Sequence, residues 1–422
     1  MILWGDCLAQ QKFTEWIKHA AHEVIEKLKE KESEQIVLIH HDDADGITSA
    51  AIIKAFLNHI GVKARLICLE KLYPQALDLI GTCSDPLIFV DLGSPHVKLI
   101  SKKVKSTDTI LILDHHDPDT TEDPRIVHVN PELFGISGEE EASASIVTYL
   151  FVRSLLENSK LLNKLIPLAL IGSSELPGDV KGLNLAILEE AIRRGVAKTL
   201  SSHNISVFIN GRFISRTKLS TELTILASVG YYRGGPDLAI NACLEGFTRE
   251  IKLTIADLRR YRSSLYKKGM DLIKSHLYKG KCLQWIDVRD LFYNVGAKVL
   301  GTFLSFVSYR LRMIDPELYL VGTMNLNPEL PGLGRLKGEY VKVSIRVPKS
   351  LALKIEQGYY PPASQLLMDV CNRLGGFADG HAYAASGIIP LSKKRQLINL
   401  LEEAAQHLSK VGRKEGTLDS FF

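Results

Sequence analysis

The sequence predicts an α/β protein: a doubly wound parallel sheet in the N-terminal half, followed by a smaller C-terminal α/β domain. Three observations predict it. Short, near-continuously apolar runs alternate with helix-like stretches before residue 130. Ligand-type polar residues stand at the C-terminal ends of several of those runs. A long charged amphipathic stretch at 247–278 then separates them from a second group of strand-like runs.

Taken in order, residues 11–32 place Phe13, Trp16, Ile17, Ala20, Val24 and Leu28 on one helical face. The runs IVLIH (36–40), ARLICL (64–69), LIFVDL (87–92), ILILDH (110–115) and IVHV (126–129) follow. They are rich in β-branched residues and lack alternation, as parallel strands buried on both faces are. Between the first two, Ala50, Ile53, Phe56 and Leu57 recur at helical spacing. Residues 141–200 read as helical throughout. Asn210-Gly211 between apolar runs in 205–216 predicts a β-hairpin. Ile251, Ile255, Leu258 and Leu265 give 247–278 the pattern of a connecting helix. Strand-like runs return at 282–286, 317–324 and 340–347.

Composition excludes several classes. With 45% hydrophobic and 24% charged residues, the chain can bury large cores. Its 422 residues suit two or three domains. Six scattered cysteines form no C-x-x-C pair, which argues against a zinc ribbon or disulfide framework and for reduced thiols in the cytoplasm. No signal peptide is expected from MILWGDCLAQ, and no apolar run is long enough to span a membrane. A net charge of only +4 means that a nucleic-acid partner would need a local basic groove.

The densest chemistry is His40-His41-Asp42-Asp43-Ala44-Asp45-Gly46, directly after a strand and before a helix. Two acids at i and i+2 with a histidine at i−2 can converge from a strand-end loop. Carboxylate with imidazole suits Mn²⁺ or Mg²⁺. The bland alternative is a helix cap by one of these acids. Asp91 ends the third run, and Asp114-His115-His116-Asp117 ends the fourth. Three strand ends of one sheet would thus offer acids and histidines to one crevice. Such a cluster needs a counter-charge, which divalent cations supply. Glu175 and Asp179, near the end of IPLALIGSSELPGD, are alternative further ligands. The small-residue stretch LGGFADGHAYAASG (374–387) reads as a phosphate-approaching loop with His381 as donor, or as a tight turn. Ser344 and Arg346 end a strand, where the arginine suits either a phosphate or a salt bridge. Arg259, Arg260, Arg262, Lys267 and Lys268, with Tyr261 and Tyr266, suit either a nucleic-acid groove or a solvated face.

Residues 41–46, 91 and 114–116 resemble the first three motifs of the DHH phosphoesterase superfamily, and 374–387 resemble the glycine–histidine motif of its associated DHHA1 domain. Within the superfamily the chain looks most like archaeal RecJ-like nucleases, including the helicase-associated branch. The resemblance implies two divalent metals, Mn²⁺ preferred and Mg²⁺ accepted. It implies His41, Asp43, Asp45, Asp91 and His115 as ligands, with Asp91 bridging. His116 would face the scissile phosphate and Asp114 would orient a histidine. The fourth motif usually supplies an aspartate, so its ligand is either Glu175 or Asp179. Gly376, Gly380, His381, Ser344 and Arg346 would contact substrate, although Phe377-Ala378-Asp379 lengthens the family's glycine run.

The expected domains are a DHH catalytic domain (1–200), a helical insertion with connecting helix (201–278), a DHHA1-like substrate-binding domain (279–410) and a flexible tail (411–422). In that tail Leu418, Phe421 and Phe422 resemble a sliding-clamp-binding motif, with Glu415 where glutamine is usual. The expected activity is a metal-dependent, single-strand-specific exonuclease on DNA and/or RNA in replication or repair. Two alternatives stay open: a phosphodiesterase of short oligonucleotides or cyclic dinucleotides, and a non-catalytic scaffold for clamp or helicase. The expected partners are single-stranded nucleic acid, a sliding clamp and a repair helicase, with no membrane. A homo-oligomer is left open.

Overall fold

A computed structural model describes residues 3–30, 35–156, 159–201 and 204–415. Contacts divide the chain into two compact units. The first takes in residues 1–258 and 330–334, the second 259–329 and 335–422.

In the first unit, α1 (Leu3–Glu30) precedes the alternating series β1 (Gln35–His41), α2 (Ala44–His59), β2 (Lys63–Leu69), α3 (Pro74–Ile80), β3 (Leu87–Val90), α4 (Val97–Lys103), β4 (Ile110–Leu113) and β5 (Ile126–Val129). All five expected runs are strands, and they form one parallel sheet in the order β2-β1-β3-β4-β5. β3 and β4 are wholly buried, whereas β2, at the edge, is half exposed. From β1 the chain winds first to β2 and then back to β3. This reversal is the topological switch point, where open α/β sheets place their ligands at the strand C-termini. His40, Val90 and Leu113 share one register row. The residues that follow, His41, Asp91 and Asp114, therefore leave the same edge of the sheet.

The helices α5 (Ala144–Leu155), α6 (Leu162–Gly172) and α7 (Gly182–Arg193) come next. α2 packs on α5 and α6, and α1 on α5 and β5. The expectation of helix throughout 141–200 needs one correction. β6 (Ala197–Ser201) is a strand, paired with the hairpin β7 (Asn204–Ile209) and β8 (Arg212–Ser215) in a three-stranded antiparallel sheet. A lone two-stranded hairpin is marginal, and the third strand helps to bury Ala197, Ile205 and Val207. The hairpin turns at Asn210-Gly211 as expected, with φ of 54° and 75°, the left-handed pair of a type I′ turn. α8 (Arg216–Thr224), a π-helical turn at Ile225–Val229, α9 (Gly235–Glu245) and α10 (Arg249–His276) follow.

The second unit begins within α10 and continues through β9 (Tyr278–Lys279), β10 (Leu283–Arg289), α11 (Lys298–Arg310) and β11 (Tyr319–Asn325); the short β12 (Glu329–Leu330) and β13 (Gly334–Arg335) stand at the two ends of the first unit's 330–334 segment, and β14 (Tyr340–Arg346) follows. α12 (Lys349–Glu356), α13 (Ala363–Arg373), β15 (Phe377–Gly380), β16 (Ala384–Pro390) and α14 (Lys394–Glu415) complete it. Its mixed sheet runs β15-β16-β14-β11-β10-β9. Val341, Val343 and Ile345 of β14 join Tyr319 and Val321 in a core with Leu366, Leu367, Val370, Leu397 and Leu401. The alternating residues Lys342 and Ser344 are also buried, and α11 packs on β11 and β14.

Two expectations change here. The stretch 375–387 is not a loop: most of it is the β15–β16 hairpin, joined by residues 381–383. A Cβ at Gly376 or Gly387 would collide with Ile388 O or Phe377 O, so strand packing accounts for both glycines. Tyr266, read as lining either a nucleic-acid groove or a solvated face, is instead buried against Phe303 and Phe306, with ring centroids 5.2 Å away in each case.

Candidate metal centre

His41 ends β1 with its ring among three acids. Its Nδ1 lies 2.8 Å from Asp43 Oδ2 and 3.3 Å from Asp91 Oδ2, and its Nε2 lies 3.5 Å from Asp42 Oδ1. Asp42 is fully buried. Gly46 is required for this arrangement, since a Cβ there would stand 2.6 Å from His41 Cβ. Close approach of α2 to the end of β1, more than a sharp turn, accounts for that glycine. Asp91 has a φ of 58°, a left-handed conformation costly for any residue but glycine. That strained backbone carries a buried carboxylate between His41 and His115, whose Nε2 is 3.3 Å from Asp91 Oδ1.

His115 is oriented from behind. Its Nδ1 is 2.6 Å from Gly138 O, so Nδ1–H donates there and the Nε2 lone pair faces the acids. Two electron pairs then oppose each other across 3.3 Å. Only a proton or a cation resolves that arrangement. Burial works against charge on His115, but the hydrogen bond and field of Asp91, with Asp45 and Asp114, raise it to about 10. Asp91 Oδ1 is buried, and apart from His115 Nε2 it faces no donor among the described residues. His41, Asp43 and Asp91 each offer a ligand atom within 4.8 Å of the others. Asp91, Asp114, His115 and His116 do the same. The two groups share Asp91, and this donor set fits divalent cations.

Asp114 is the anchor of its turn. Its Oδ1 accepts from His115 N (2.8 Å) and lies 2.7 Å from His116 Nδ1, while Oδ2 accepts from Ser94 N (2.8 Å). Burial pushes this carboxyl up, but the charge and hydrogen bond of His116 pull it far below the carboxylate range. His116 remains one-third exposed, and its Nε2 has no partner among the described residues.

The remaining expected ligands sit differently. Asp43 caps α2, with Oδ1 accepting from Gly46 N at 3.1 Å, and still presents Oδ2 to His41. Asp45 spans two elements: its oxygens accept from Ala144 N and Ser145 N, both at 2.9 Å, at the start of α5. Burial and the nearby Asp91 push it up to about 7. Asp45 Oδ2 lies 3.8 Å from His115 Nε2, at the margin of the cluster. Glu175 accepts from Ser220 Oγ (2.8 Å) and Thr224 Oγ1 (3.1 Å). Thr224 in turn accepts from Ala44 N, one step from the metal groups. Asp179 is exposed, and neither it nor Glu175 belongs to the two ligand groups among the described residues.

In the second unit, Arg346 donates from Nε to Ser305 Oγ (2.9 Å) and from NH1 to Ile345 O (2.8 Å). Its guanidinium lies against Gly301, where any Cβ would collide with it. Ser344 is buried, and Gly380 and His381 begin the β15–β16 turn, with His381 exposed and its N–H donating to Ala384 O. Leu418, Phe421 and Phe422 lie outside the described residues.

Several positioning residues carried no sequence signal. Gly138 must be glycine because a Cβ would overlap His115 O. Asn130 donates to both Ser94 Oγ and His116 O at 2.8 Å, holding the turn from β5. Glu132 accepts from Gly138 N at 2.6 Å.

Residues 35–173 match the DHH family, N-terminal domain. An uncharacterized protein, MJ0831, of Methanocaldococcus jannaschii is 31% identical over 163 residues, which are 37% of this chain and 36% of that protein. The chain also resembles the crystal structure of RecJ in complex with Mn²⁺ from Thermus thermophilus, with a TM-score of 0.61 at 17% identity. That likeness covers 93% of this chain and 55% of the other, so this chain spans about half of its length. A structure of exonuclease RecJ bound to manganese gives a TM-score of 0.58 at 17% identity, covering 92% and 94% of the two chains. Residues 35–173 are thus a DHH-family N-terminal domain carrying the strand-end histidines and acids, and the chain has a RecJ-like two-domain fold.

Proposed function

We propose that this protein is a two-metal phosphodiesterase acting as a single-strand-specific exonuclease on DNA and/or RNA in replication or repair, with Mn²⁺ preferred and Mg²⁺ accepted. The observation that carries the reading is the sharing of Asp91 by two ligand groups, His41–Asp43–Asp91 and Asp91–Asp114–His115–His116. Held by His41, Asp43, Asp91 and His115, divalent ions would supply Lewis acidity toward a phosphodiester and a metal-activated water. The chain's own residues do the rest. Gly138 and Asp114 fix the two histidine rings. His116, one-third exposed, donates to a phosphate oxygen, with its ring held by Asp114. Asp45 is a cap for α5 that stiffens the floor of the site and adds an acid at its margin. Glu175 is the better placed of the two fourth-motif acids, through Thr224 and Ala44.

In the second unit Arg346, Ser344, His381 and the hairpin glycines Gly376 and Gly380 serve substrate. The manganese in the related RecJ structures supports the choice of metal. Cys68, Cys83, Cys243, Cys282 and Cys371 form no disulfide among the described residues, where no helix is long and apolar enough to cross a membrane. A cytoplasmic site of action, a sliding clamp bound through Leu418, Phe421 and Phe422, and a repair helicase complete the reading.

The test is direct. Purified protein is incubated with Mn²⁺ or Mg²⁺ and 5′- or 3′-labelled single-stranded DNA, RNA and dinucleotides, and the products are resolved. Stepwise release of nucleotides from long strands is expected. Cleavage of dinucleotides alone would favour the short-oligonucleotide alternative, and no metal-dependent cleavage of any substrate would leave the scaffold reading.

A further inference from the structure

The β6–β7–β8 sheet of the first unit carries an aromatic and basic face that the metal centre does not use. Phe208 and Phe213 stand opposite each other across the hairpin. They are 42% and 37% exposed, with ring centroids 5.2 Å apart in edge contact. Lys198 of β6 places Nζ 4.6 Å from the Phe213 ring centroid. Lys198 pairs with Ser206, so it shares the outward face with both phenylalanines, while Ile205 and Val207 fill the inward one. Phe213 also lines a groove of about 480 Å³ with Arg212, Lys218, Lys252, Glu222 and Phe247. Lys198, Arg212, Lys218 and Lys252 form no ion pair among the described residues, and Glu222 is the acid among the lining residues.

We propose that this face binds single-stranded nucleic acid beyond the metal centre, an inference that rests on the phosphodiesterase reading. Exposed ring faces accept stacked bases of any sequence, and un-neutralised cations around them hold the phosphates. Protein-docking faces are depleted in lysine, which disfavours a protein occupant. The placement follows from one helix. Ser215 ends β8 and caps α8, while Thr224 at the other end accepts from Ala44 N, between Asp43 and Asp45. α8 has nine residues, so its ends lie about 13 Å apart. That is the span of about four nucleotides at ~3.4 Å per stacked base. A strand cut at the metals reaches Phe213 only if it extends beyond about four nucleotides, and a dinucleotide never does.

The test uses the full chain. Binding of a fluorescein-labelled single strand of about 12 nucleotides is measured by anisotropy in EDTA, where no cleavage occurs. The expected result for Phe208→Ala/Phe213→Ala is binding weaker by about tenfold. For Lys198→Gln/Arg212→Gln the dependence of log K on log salt should flatten by about 1–2 units. Both variants should melt as the wild type does and cleave dinucleotides at its rate. Unchanged affinity and salt slope in both variants would overturn the proposal and leave the face to a protein partner. Wild-type protein that cleaves nothing but shows these binding losses would instead overturn the phosphodiesterase reading and keep the platform.

Discussion

The carboxyl edge of the parallel sheet and the β14–β16 region of the second unit respond differently to the same kind of sequence reading. At the sheet edge, residues far apart in sequence converge: His41, Asp43, Asp91, Asp114 and His115 meet within hydrogen-bonding distances. In the second unit the marked residues are engaged by their own fold. Arg346 is tied to Ser305 and Ile345, and Gly376 is demanded by a strand neighbour. Acids and histidines at buried strand ends are costly unless something charged compensates them, so their pattern speaks for chemistry. Glycine, serine and arginine are useful to folding as well, and their pattern speaks less clearly.

The largest expected effect tests the sheet edge. Asp91→Ala removes the carboxylate common to both ligand groups. Mn²⁺-dependent turnover should fall to background, and calorimetry should show loss of tight metal binding. Turnover near wild type would dissolve the contrast between the two regions. Asp114→Asn comes next. It keeps the shape but weakens the hold on His116 Nδ1 and on the His115 backbone. Activity or metal affinity should drop about 10- to 100-fold, as for other residues that orient ligands. An Asn variant with wild-type metal titration and rate would show that the histidines are fixed without it.

The second unit should respond in substrate affinity and not in metal affinity. Arg346→Ala should raise KM about tenfold, the scale of one lost charged hydrogen bond. Gly301→Ala should act in the same direction, because its Cβ displaces the guanidinium, while α11 gains in helix propensity. If either change alters Mn²⁺ affinity and spares KM, the two regions do not divide the work.

The smallest effect concerns pH. Burial, aided by Lys71, lowers His96 to about 4, and burial also lowers His128, against the pull of Asp114. The folded state therefore holds both rings neutral. That contribution is present above the unfolded value of about 6.5 and is lost as pH falls toward about 4. Between about pH 7.5 and about pH 5 these two rings should pull the unfolding temperature down, opposed by His115 and Asp45, which the fold holds raised. His128→Gln should make the decline shallower. An equal decline in the variant would assign the loss to other groups.

Much of this molecule was determined locally. Buried β-branched runs specify parallel strands because both faces must be apolar. Asn210-Gly211 specifies its hairpin because both residues tolerate positive φ. The strand-end histidines and acids were visible because no folding rule places so many there. Other features were decided only by tertiary structure. Asp43 and Asp45 read alike as candidate ligands, yet Asp45 reaches 99 and 100 residues along the chain to bind the α5 N-terminus. Whether 197–201 is helix or strand depended on a hairpin that follows it. Gly138 and Asn130 matter because they meet His115 and His116 from 23 and 14 residues away. Composition and periodicity report what a residue does with its neighbours in sequence. These roles are set by neighbours in space, and only the folded sheet edge brings those together.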